Sequence, residues 1–253
     1  MKDLNGKVSI IIPAYNEGAI IKESLIETIK TFEEFGCDYE IILIDDGSSD
    51  NTLAEALKIA EHHPRLTVKR NMENYGKGRA LKKALRYVKG EYVVFLDADL
   101  DLHPGQVQTL FDILKLDEAD VVIGSKLHPN SVVEYPFSRK IISFIYYAII
   151  KILFGLPIHD TQTGLKLFKR KVLTEVFPKI VVKKFALDLE ILANAHRLGY
   201  KIAEAPIVLK QKREYGRLGL KAMIQTGWDT LAIFYRMNIL RYYDKVRPDK
   251  KDP

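Results

Sequence analysis

Residues 92–99 read Tyr-Val-Val-Phe-Leu-Asp-Ala-Asp, so that a run of apolar and aromatic residues ends in two carboxylates. Such a run is typical of a buried parallel strand, and its end marks the edge of an open α/β sheet where ligands bind. Asp97 and Asp99 are costly to desolvate there unless a divalent cation bridges them to a diphosphate. The stretch therefore predicts nucleotide-sugar chemistry, and the plainer alternative is a helix cap before His103 and Pro104.

Strand-like and helix-like segments alternate throughout the first half of the chain. Strands are predicted at 7–14, 39–44, 66–69, 92–97 and 119–124, with amphipathic helices near 18–35, 51–62, 77–88 and 104–116. This spacing indicates βαβ units and a mostly parallel sheet with helices on both faces. After Ser125 the pattern is less regular.

The composition limits the compartment and the partners. The chain has 253 residues and a net charge of +6, which suits acidic substrates, nucleic acid or an anionic membrane surface without choosing among them. Cys37 is the only cysteine, so no internal disulfide can form, which is typical of a reducing compartment. The apolar run 10–12 stops at Pro13, so we expect no secretory signal and a cytoplasmic protein.

Two other strand ends carry polar residues without an obvious structural role. Tyr15 and Glu17 follow the first strand and could stack on and hydrogen-bond to a nucleobase, although a turn with an Asn cap is the plainer interpretation. Asp45 and Asp46 follow the second strand, where like charges repel unless they bind something. Three acidic strand ends on one rim predict a binding site.

The glycine-rich segment 74–78, Asn-Tyr-Gly-Lys-Gly, matches neither the nucleoside-triphosphate loop nor the dinucleotide fingerprint. An NTPase or a dinucleotide enzyme is therefore disfavoured. Lys77 either faces the nucleotide or is a solvated lysine after a turn.

Taken together, six motifs resemble those of the family-2 glycosyltransferases of the GT-A fold. They are IPAYNE at 12–17, DDGSSDNT at 45–52, NYGKG at 74–78, DADLDLHP at 97–104, GSK at 124–126 and DTQTGLKLFKR at 160–170. The last motif, with FALDLE at 185–190, is most similar to the polyprenyl-phosphate glycosyltransferases, first the dolichyl-phosphate β-glucosyltransferases and next the mannose synthases.

The resemblance implies roles for individual residues. Nucleotide binding is expected at Pro13, Tyr15, Glu17, Asp45, Asp46, Lys77, Asp97, Ala98 and Asp99, and Mg²⁺ or Mn²⁺ binding at Asp97, Asp99 and Asp101. The acceptor phosphate or the leaving diphosphate is expected at Lys126, Arg139, Lys210, Lys212, Arg213 and Arg217, and catalysis at Asp99, Asp160, Lys126 and Arg139. Asp101 replaces a Gln of the mannose synthases, and Lys126 replaces a more usual Arg.

The expected chemistry needs little proton transfer. A polyprenyl phosphate is already an anion, so it needs positioning and charge screening more than deprotonation. A direct displacement would invert the anomeric carbon. Asp160 is either a general base or a cap and ion-pair partner.

Two segments predict contact with a membrane surface. A helix is predicted over 138–154. Its apolar part, 141–154, is shorter than the roughly 20 residues that span a bilayer, is preceded by Arg139 and Lys140 and is interrupted by Lys151. A second helix is expected from Leu218 to Tyr243. Its apolar face is predicted at Leu220, Met223, Ile224, Leu231 and Phe234, and its polar face at Lys221, Gln225, Asp229 and Arg236. The alternative for both helices is a core or dimer contact.

The sequence thus predicts a catalytic domain over 1–215 and a C-terminal amphipathic helix with a basic tail over 216–253. The expected function is metal-dependent, inverting transfer of a hexose, preferably glucose from UDP-glucose, to polyprenyl or dolichyl phosphate by a peripheral protein on the cytoplasmic face of the cell membrane. The alternatives are transfer from GDP-mannose, a non-lipid acceptor, a nucleotidyltransferase and a non-catalytic membrane-binding module. We expect no nucleic-acid partner, and a homo-oligomer is left open.

Overall fold

The computed structural model describes residues 1, 4–133, 137–182, 186–209 and 220–245, and two of its helices have side chains described only from residues 142 and 224 onward. The strands are β1 Val8–Ala14, β2 Tyr39–Asp45, β3 Leu66–Arg70, β4 Tyr92–Phe95, β5 Val121–Ser125, β6 Val132–Val133, β7 Lys166–Lys169, β8 Ile202–Pro206 and β9 Val208–Leu209. The α-helices are α1 Ile21–Phe35, α2 Thr52–Ala60, α3 Lys77–Leu85, α4 Val107–Leu116, α5 Phe137–Phe154, α6 Arg170–Val176, α7 Leu187–Arg197, α8 Leu220–Phe234 and α9 Tyr242–Lys245.

Seven strands form one sheet in the order β3-β2-β1-β4-β7-β5-β8. Neighbouring strands are parallel except for β7, which runs antiparallel to both β4 and β5. The five predicted strands and the mostly parallel sheet are therefore confirmed. Strands β6 and β9 form a separate parallel pair.

The sheet is covered by apolar side chains on both faces. Along β1, Ile10 and Ile12 belong to a core cluster with residues of α1, α2 and α4, whereas Ile11 belongs to a second cluster with residues of α3, α6 and α7. Successive strand residues point to opposite faces, so a continuous apolar strand requires helices on both sides. The predicted packing of helices on both faces of the sheet is confirmed.

The direction of β7 determines which loops meet at the rim of the sheet. Parallel strands β1, β2 and β4 end at one edge, and antiparallel β7 begins at that edge with Lys166 opposite Phe95. The loop before β7, which contains Asp160, therefore lies beside the loop after β4, which contains Asp97 and Asp99.

The predicted uninterrupted helix from Leu218 to Tyr243 is wrong. Helix α8 ends at Phe234, a π-helical turn covers Tyr235–Ile239, and α9 begins at Tyr242. Arg241 separates these segments with a φ of 49°, a conformation that an α-helix does not contain.

The predicted faces of this helix also need correction. Arg236, predicted on the polar side, turns inward and lies 3.3 Å from the buried carboxylate of Glu190. From residue 224 onward, where the side chains are described, Thr230, Ile233, Met237 and Tyr243 are buried, while Ile224 and Leu231 of the predicted apolar face are exposed. The side chains of Leu220, Lys221 and Met223 lie outside the described ones. Tertiary contacts with α7 thus override the amphipathic pattern. The division of the chain at residues 215 and 216 stays a prediction.

Candidate active site

The loops after β1 and β2 are joined by hydrogen bonds that leave one aromatic ring exposed. Asn16 has a φ of 55°, which Asn tolerates better than most residues, and its N–H donates to Ser48 Oγ over 3.0 Å. Ser49 N–H donates in return to Asn16 Oδ1 over 2.9 Å. This frame presents Tyr15, which is 45% exposed at the rim and available for stacking.

Asp46 is buried and organises the segment that precedes α3. It accepts hydrogen bonds from Asn71 Nδ2 at 2.7 Å, Tyr75 N at 3.3 Å and Gly76 N at 2.7 Å. The neighbouring Asp45 is also buried and lies 3.3 Å from Arg70 Nε. These internal partners offset the cost of placing two carboxylates together, so the nucleotide contact of this pair stays a prediction.

Lys77 faces the acidic rim, and its contact with the nucleotide stays a prediction. It is the first residue of α3, and its Nζ donates to Asp97 Oδ1 over 2.7 Å. Burial alone would lower the pKa of Lys77, but the charges of Asp97, Asp188 and Asp99 outweigh burial and raise it. Burial alone would raise the pKa of Asp97, and the Lys77 ammonium more than offsets this and lowers it.

Asp99 is in the opposite electrostatic situation. Burial and the nearby charge of Asp97 raise the pKa of Asp99 to about 6, although the Asp101 N–H donates to Asp99 Oδ1 over 3.0 Å. An anionic oxygen held in this way favours a hard cation as an additional partner. Ala98, between the two aspartates, is buried in the core on the α1 face, so only its backbone faces the rim.

Metal binding by Asp97, Asp99 and Asp101 together stays a prediction. Within the described ranges, no three His, Cys, Asp or Glu side chains lie close enough together to hold a metal ion. Lys77 contacts one oxygen of Asp97, and the Asp101 N–H donates to one oxygen of Asp99. The oxygen donors of Asp97 and Asp99 nevertheless suit Mg²⁺ or Mn²⁺, which need only one or two carboxylates when phosphates complete the coordination.

Asp160 and Lys126 form a second charged pair on the same rim. Lys126 Nζ lies 3.5 Å from Asp160 Oδ2, and the carboxylate also accepts from Lys126 N, Gln162 N and Thr163 Oγ1. Burial alone would raise the pKa of Asp160, but the Lys126 charge and these hydrogen bonds outweigh burial and lower it. A carboxylate with a lowered pKa is a weak base, so its contacts favour the ion-pair alternative.

The sequence interpretation missed Lys166 and Asp188, a buried ion pair whose Nζ and Oδ1 atoms are 2.9 Å apart. Asp188 lies in the first turn of α7. The signal was present, because each charge interrupts an apolar run, Leu-Lys-Leu-Phe at 165–168 and Ala-Leu-Asp-Leu at 186–189. Charged residues in such runs are rare unless they are paired.

Several predicted site residues cannot be placed. Lys210, Lys212, Arg213 and Arg217 lie outside the described residues, and Arg139 is described only as a backbone position in α5. Pro13 pairs with Ile44 near the end of β1, two residues before Tyr15. The structure thus brings together Lys77, Asp97, Asp99, Asp160 and Lys126 as one candidate site.

Comparisons with known proteins agree with the motifs. The model of "Glycosyl transferase family 2" matches residues 9–177. A dolichyl-phosphate beta-glucosyltransferase of Trichomonas vaginalis is 31% identical over 249 residues, which are 94% of this chain and 76% of that protein. A dolichyl-phosphate beta-glucosyltransferase of Saccharomyces cerevisiae is 32% identical over 220 residues, covering 79% of this chain and 66% of that protein.

A solved structure supports the fold. Glucosyl-3-phosphoglycerate synthase from Mycobacterium tuberculosis, in complex with Mn²⁺, UDP-glucose and glycerol 3-phosphate, is similar with a TM-score of 0.71 and 23% identity. The match covers 92% of this chain and 81% of that chain. At this identity the likeness concerns the fold alone.

Proposed function

This chain belongs to glycosyl transferase family 2, and we propose that it transfers glucose from UDP-glucose to a polyprenyl phosphate at a membrane surface. The observation that carries the proposal is the contact between the two halves of the rim. A Cβ on Gly164 would overlap Asp97 Oδ2, so the loop that bears Asp160 lies directly against the Asp97 carboxylate. The proposed sites for the diphosphate and for the incoming phosphate would therefore adjoin. We choose a polyprenyl phosphate as the acceptor because the similar proteins are dolichyl-phosphate beta-glucosyltransferases.

On the donor side, Asp97 and Asp99 would hold Mg²⁺ or Mn²⁺ together with oxygens of the diphosphate. The bound ion would neutralise the charge that develops on the departing nucleoside diphosphate. Lys77 already faces Asp97 and would remain close to the diphosphate as a second positive charge. The mycobacterial enzyme of similar fold was crystallised with Mn²⁺ and UDP-glucose, and the same metal and donor are proposed here.

On the acceptor side, Lys126 is the described cation best placed to bind a phosphate. Its Nζ is only loosely held by Asp160, at 3.5 Å, and its side chain remains partly exposed. Because the acceptor phosphate is already ionised, Asp160 need not remove a proton and can serve to orient Lys126. Attack by the phosphate oxygen on the anomeric carbon breaks the bond to the diphosphate and inverts that carbon.

Two neighbouring helices offer a surface for the lipid tail. Tyr146 of α5 hydrogen-bonds to Thr230 of α8 over 3.3 Å, so the helices pack together. Away from this contact each helix has an exposed apolar stripe with helical spacing. The stripe on α5 is Ile142, Ile145, Ile149 and Ile152, and the stripe on α8 is Ile224, Trp228 and Leu231, continued by Tyr235 at the start of the π-helical turn. We call these two rows the apolar stripes.

The apolar stripes favour binding at the surface of a bilayer over a helix that crosses it. Among the parts of the chain that the structure describes, no helix has both the length and the apolarity required to cross a bilayer. Exposed Lys151, Arg241 and Lys245 can interact with anionic headgroups, and each such residue contributes about 1 kcal/mol near an anionic surface. Peripheral attachment on the cytoplasmic face, where Cys37 would stay reduced, is part of the proposal.

The activity is tested by following radiolabelled sugar into the organic phase with polyprenyl phosphate and a panel of nucleotide sugars. We expect transfer from UDP-glucose and thermal stabilisation by UDP rather than GDP in the presence of Mn²⁺. A preference for GDP-mannose would make GDP-mannose the donor in place of UDP-glucose. Transfer only to a water-soluble phosphate would contradict the proposal of a lipid acceptor. Absence of transfer from every donor would overturn the proposed function.

Membrane attachment is tested by liposome flotation of an Ile145→Glu, Ile149→Glu double variant. We expect the wild type to float with anionic vesicles that contain polyprenyl phosphate and the variant to lose most of its binding, because two charges would enter the acyl boundary. The matched control is Leu57→Glu, Leu116→Glu, which adds the same charge at exposed apolar positions on other helices. Equal flotation of all three folded proteins would contradict a lipid role for the apolar stripes.

A further inference from the structure

Lys166 is a buried charge that the proposed chemistry does not use. It is 1% exposed and lies in the middle of the sheet, with Phe95 of β4 on one side and Ile123 of β5 on the other. Its charge partner Asp188 is 8% exposed. Buried ion pairs contribute little net stability, since desolvation offsets their attraction, so a contribution to folding alone does not explain this pair.

The Lys166 ammonium holds the loop on which both halves of the site depend. Lys166 Nζ donates to the carbonyl oxygen of Thr163, which belongs to the peptide bond between Thr163 and Gly164. The Thr163 hydroxyl donates to Asp160 Oδ2 over 2.7 Å. Gly164 contacts the Asp97 carboxylate so closely that a Cβ there would overlap it. One ammonium group therefore holds the Thr163–Gly164 segment, whose glycine lies against the Asp97 carboxylate and whose threonine hydroxyl donates to the Asp160 carboxylate.

The surrounding charges support this arrangement. The positive charge of Lys166 helps to lower the pKa of Asp97, and the negative charge of Asp188 helps to raise the pKa of Lys77. Two cations and two anions thus influence one another across the loop after β4, the start of β7 and the first turns of α3 and α7. Asp188 is also favoured by its position in the first turn of its helix.

We propose that the Lys166–Asp188 pair is a positioning element that sets the Asp97 carboxylate relative to Asp160 and Lys126. The inference rests on the proposed function, because it assigns the pair to the alignment of the donor with the acceptor phosphate. Neither residue is assigned a contact with substrate. Removal of the pair should leave the fold but loosen the loop at 160–164, so that metal and donor bind less tightly and turnover falls.

The test replaces the whole pair, because removal of one partner would leave a buried charge. Lys166→Met with Asp188→Leu is an apolar replacement, and Lys166→Gln with Asp188→Asn is a neutral polar one. Apolar replacement of a buried ion pair is often neutral or stabilising, so at least one of the two proteins should fold. The control is Lys169→Met, at the other end of β7, where the lysine pairs with Asp120 at 3.0 Å.

Three quantities are measured on each folded protein, namely Mn²⁺ affinity in the presence of UDP by calorimetry, the KM for UDP-glucose and kcat. We expect the pair variants to lose roughly 10- to 100-fold in Mn²⁺ affinity and in kcat, the usual effect of losing a group that supports metal ligands, whereas the control stays near wild type. Excess Mn²⁺ should restore part of the activity.

The outcomes separate this inference from the proposed function. Wild-type Mn²⁺ affinity and kcat in a folded pair variant would overturn the positioning role and leave the proposed function intact. Failure of both pair variants to fold would make the pair a requirement of the fold and would also overturn the positioning role. Absence of Mn²⁺ and UDP binding in the wild type would overturn both.

Discussion

Asp99→Asn is expected to reduce sugar transfer by roughly 10³-fold or more while the protein remains folded. A divalent ion that neutralises a departing diphosphate supplies several kcal/mol to the transition state, and a neutral amide is a poor substitute for a carboxylate ligand. EDTA should cause the same loss in the wild type, and added Mn²⁺ should reverse it. The measurement is radiolabel transfer at saturating donor, with circular dichroism as the check on folding.

The thermal stability of the metal-free protein provides an independent test of Asp99. Its raised pKa of about 6 means that the folded state holds the proton more tightly than the unfolded state, so ionisation above pH 6 costs stability. Asp99→Asn removes this cost, and its melting temperature at pH 7.5 should equal or exceed that of wild type in EDTA.

Asp97→Asn is the matched control and should behave in the opposite way. The pKa of Asp97 is lowered, so its ionised form contributes stability at pH 7.5 that is lost only as the pH falls through the folded-state pKa. Without the carboxylate, Lys77 loses its ion-pair partner, and the metal-free protein should melt at a lower temperature. An Asp99→Asn protein with near wild-type turnover, or EDTA without effect, would contradict the assignment of Asp99 to the metal.

The parts of the fold that could be predicted are those with strong local patterns. Five strands and the helices between them follow from apolar runs and amphipathic spacing, and the carboxylates at the strand ends locate the rim. Strand β7 was missed because Lys166 and Lys169 at its ends leave only Leu167 and Phe168 as an apolar signal. Its antiparallel direction depends on pairing with β4 and β5, which are distant in sequence, and no local pattern encodes that pairing.

The candidate site shows the same limit. The sequence indicated Asp97 and Asp99 as carboxylates at a strand end, and the family resemblance indicated Asp160, yet neither could show that Lys77 would pair with Asp97. The sequence also could not predict that Arg236 turns inward, because this orientation depends on Glu190 in another helix. Charge pairs across the fold are set by tertiary packing, so they become visible only when the elements are assembled.

Lys126→Met is expected to reduce kcat/KM for polyprenyl phosphate by roughly 100-fold. A hydrogen bond to a charged group is worth about 1.5 to 3 kcal/mol, and loss of Lys126 also leaves the buried Asp160 carboxylate without its cation. The substitution should change the kinetic constants for the acceptor, whereas the KM for UDP-glucose should change little. Lys126→Arg should retain most activity, because the guanidinium also binds phosphate and offers two donors.

Two further variants sharpen the assignment of Lys126. Lys82→Met removes an exposed lysine of α3 and should have no effect on either substrate. Asp160→Asn should impair the acceptor kinetics without removing an ionisation from the pH profile, because the phosphate nucleophile reacts as an anion and Asp160 acts by holding Lys126. A large rise in the KM for UDP-glucose with unchanged acceptor kinetics in Lys126→Met would move Lys126 to the donor side. An ionisation that disappears in Asp160→Asn would instead make Asp160 the base, and the acceptor would then have to be a group that gives up a proton.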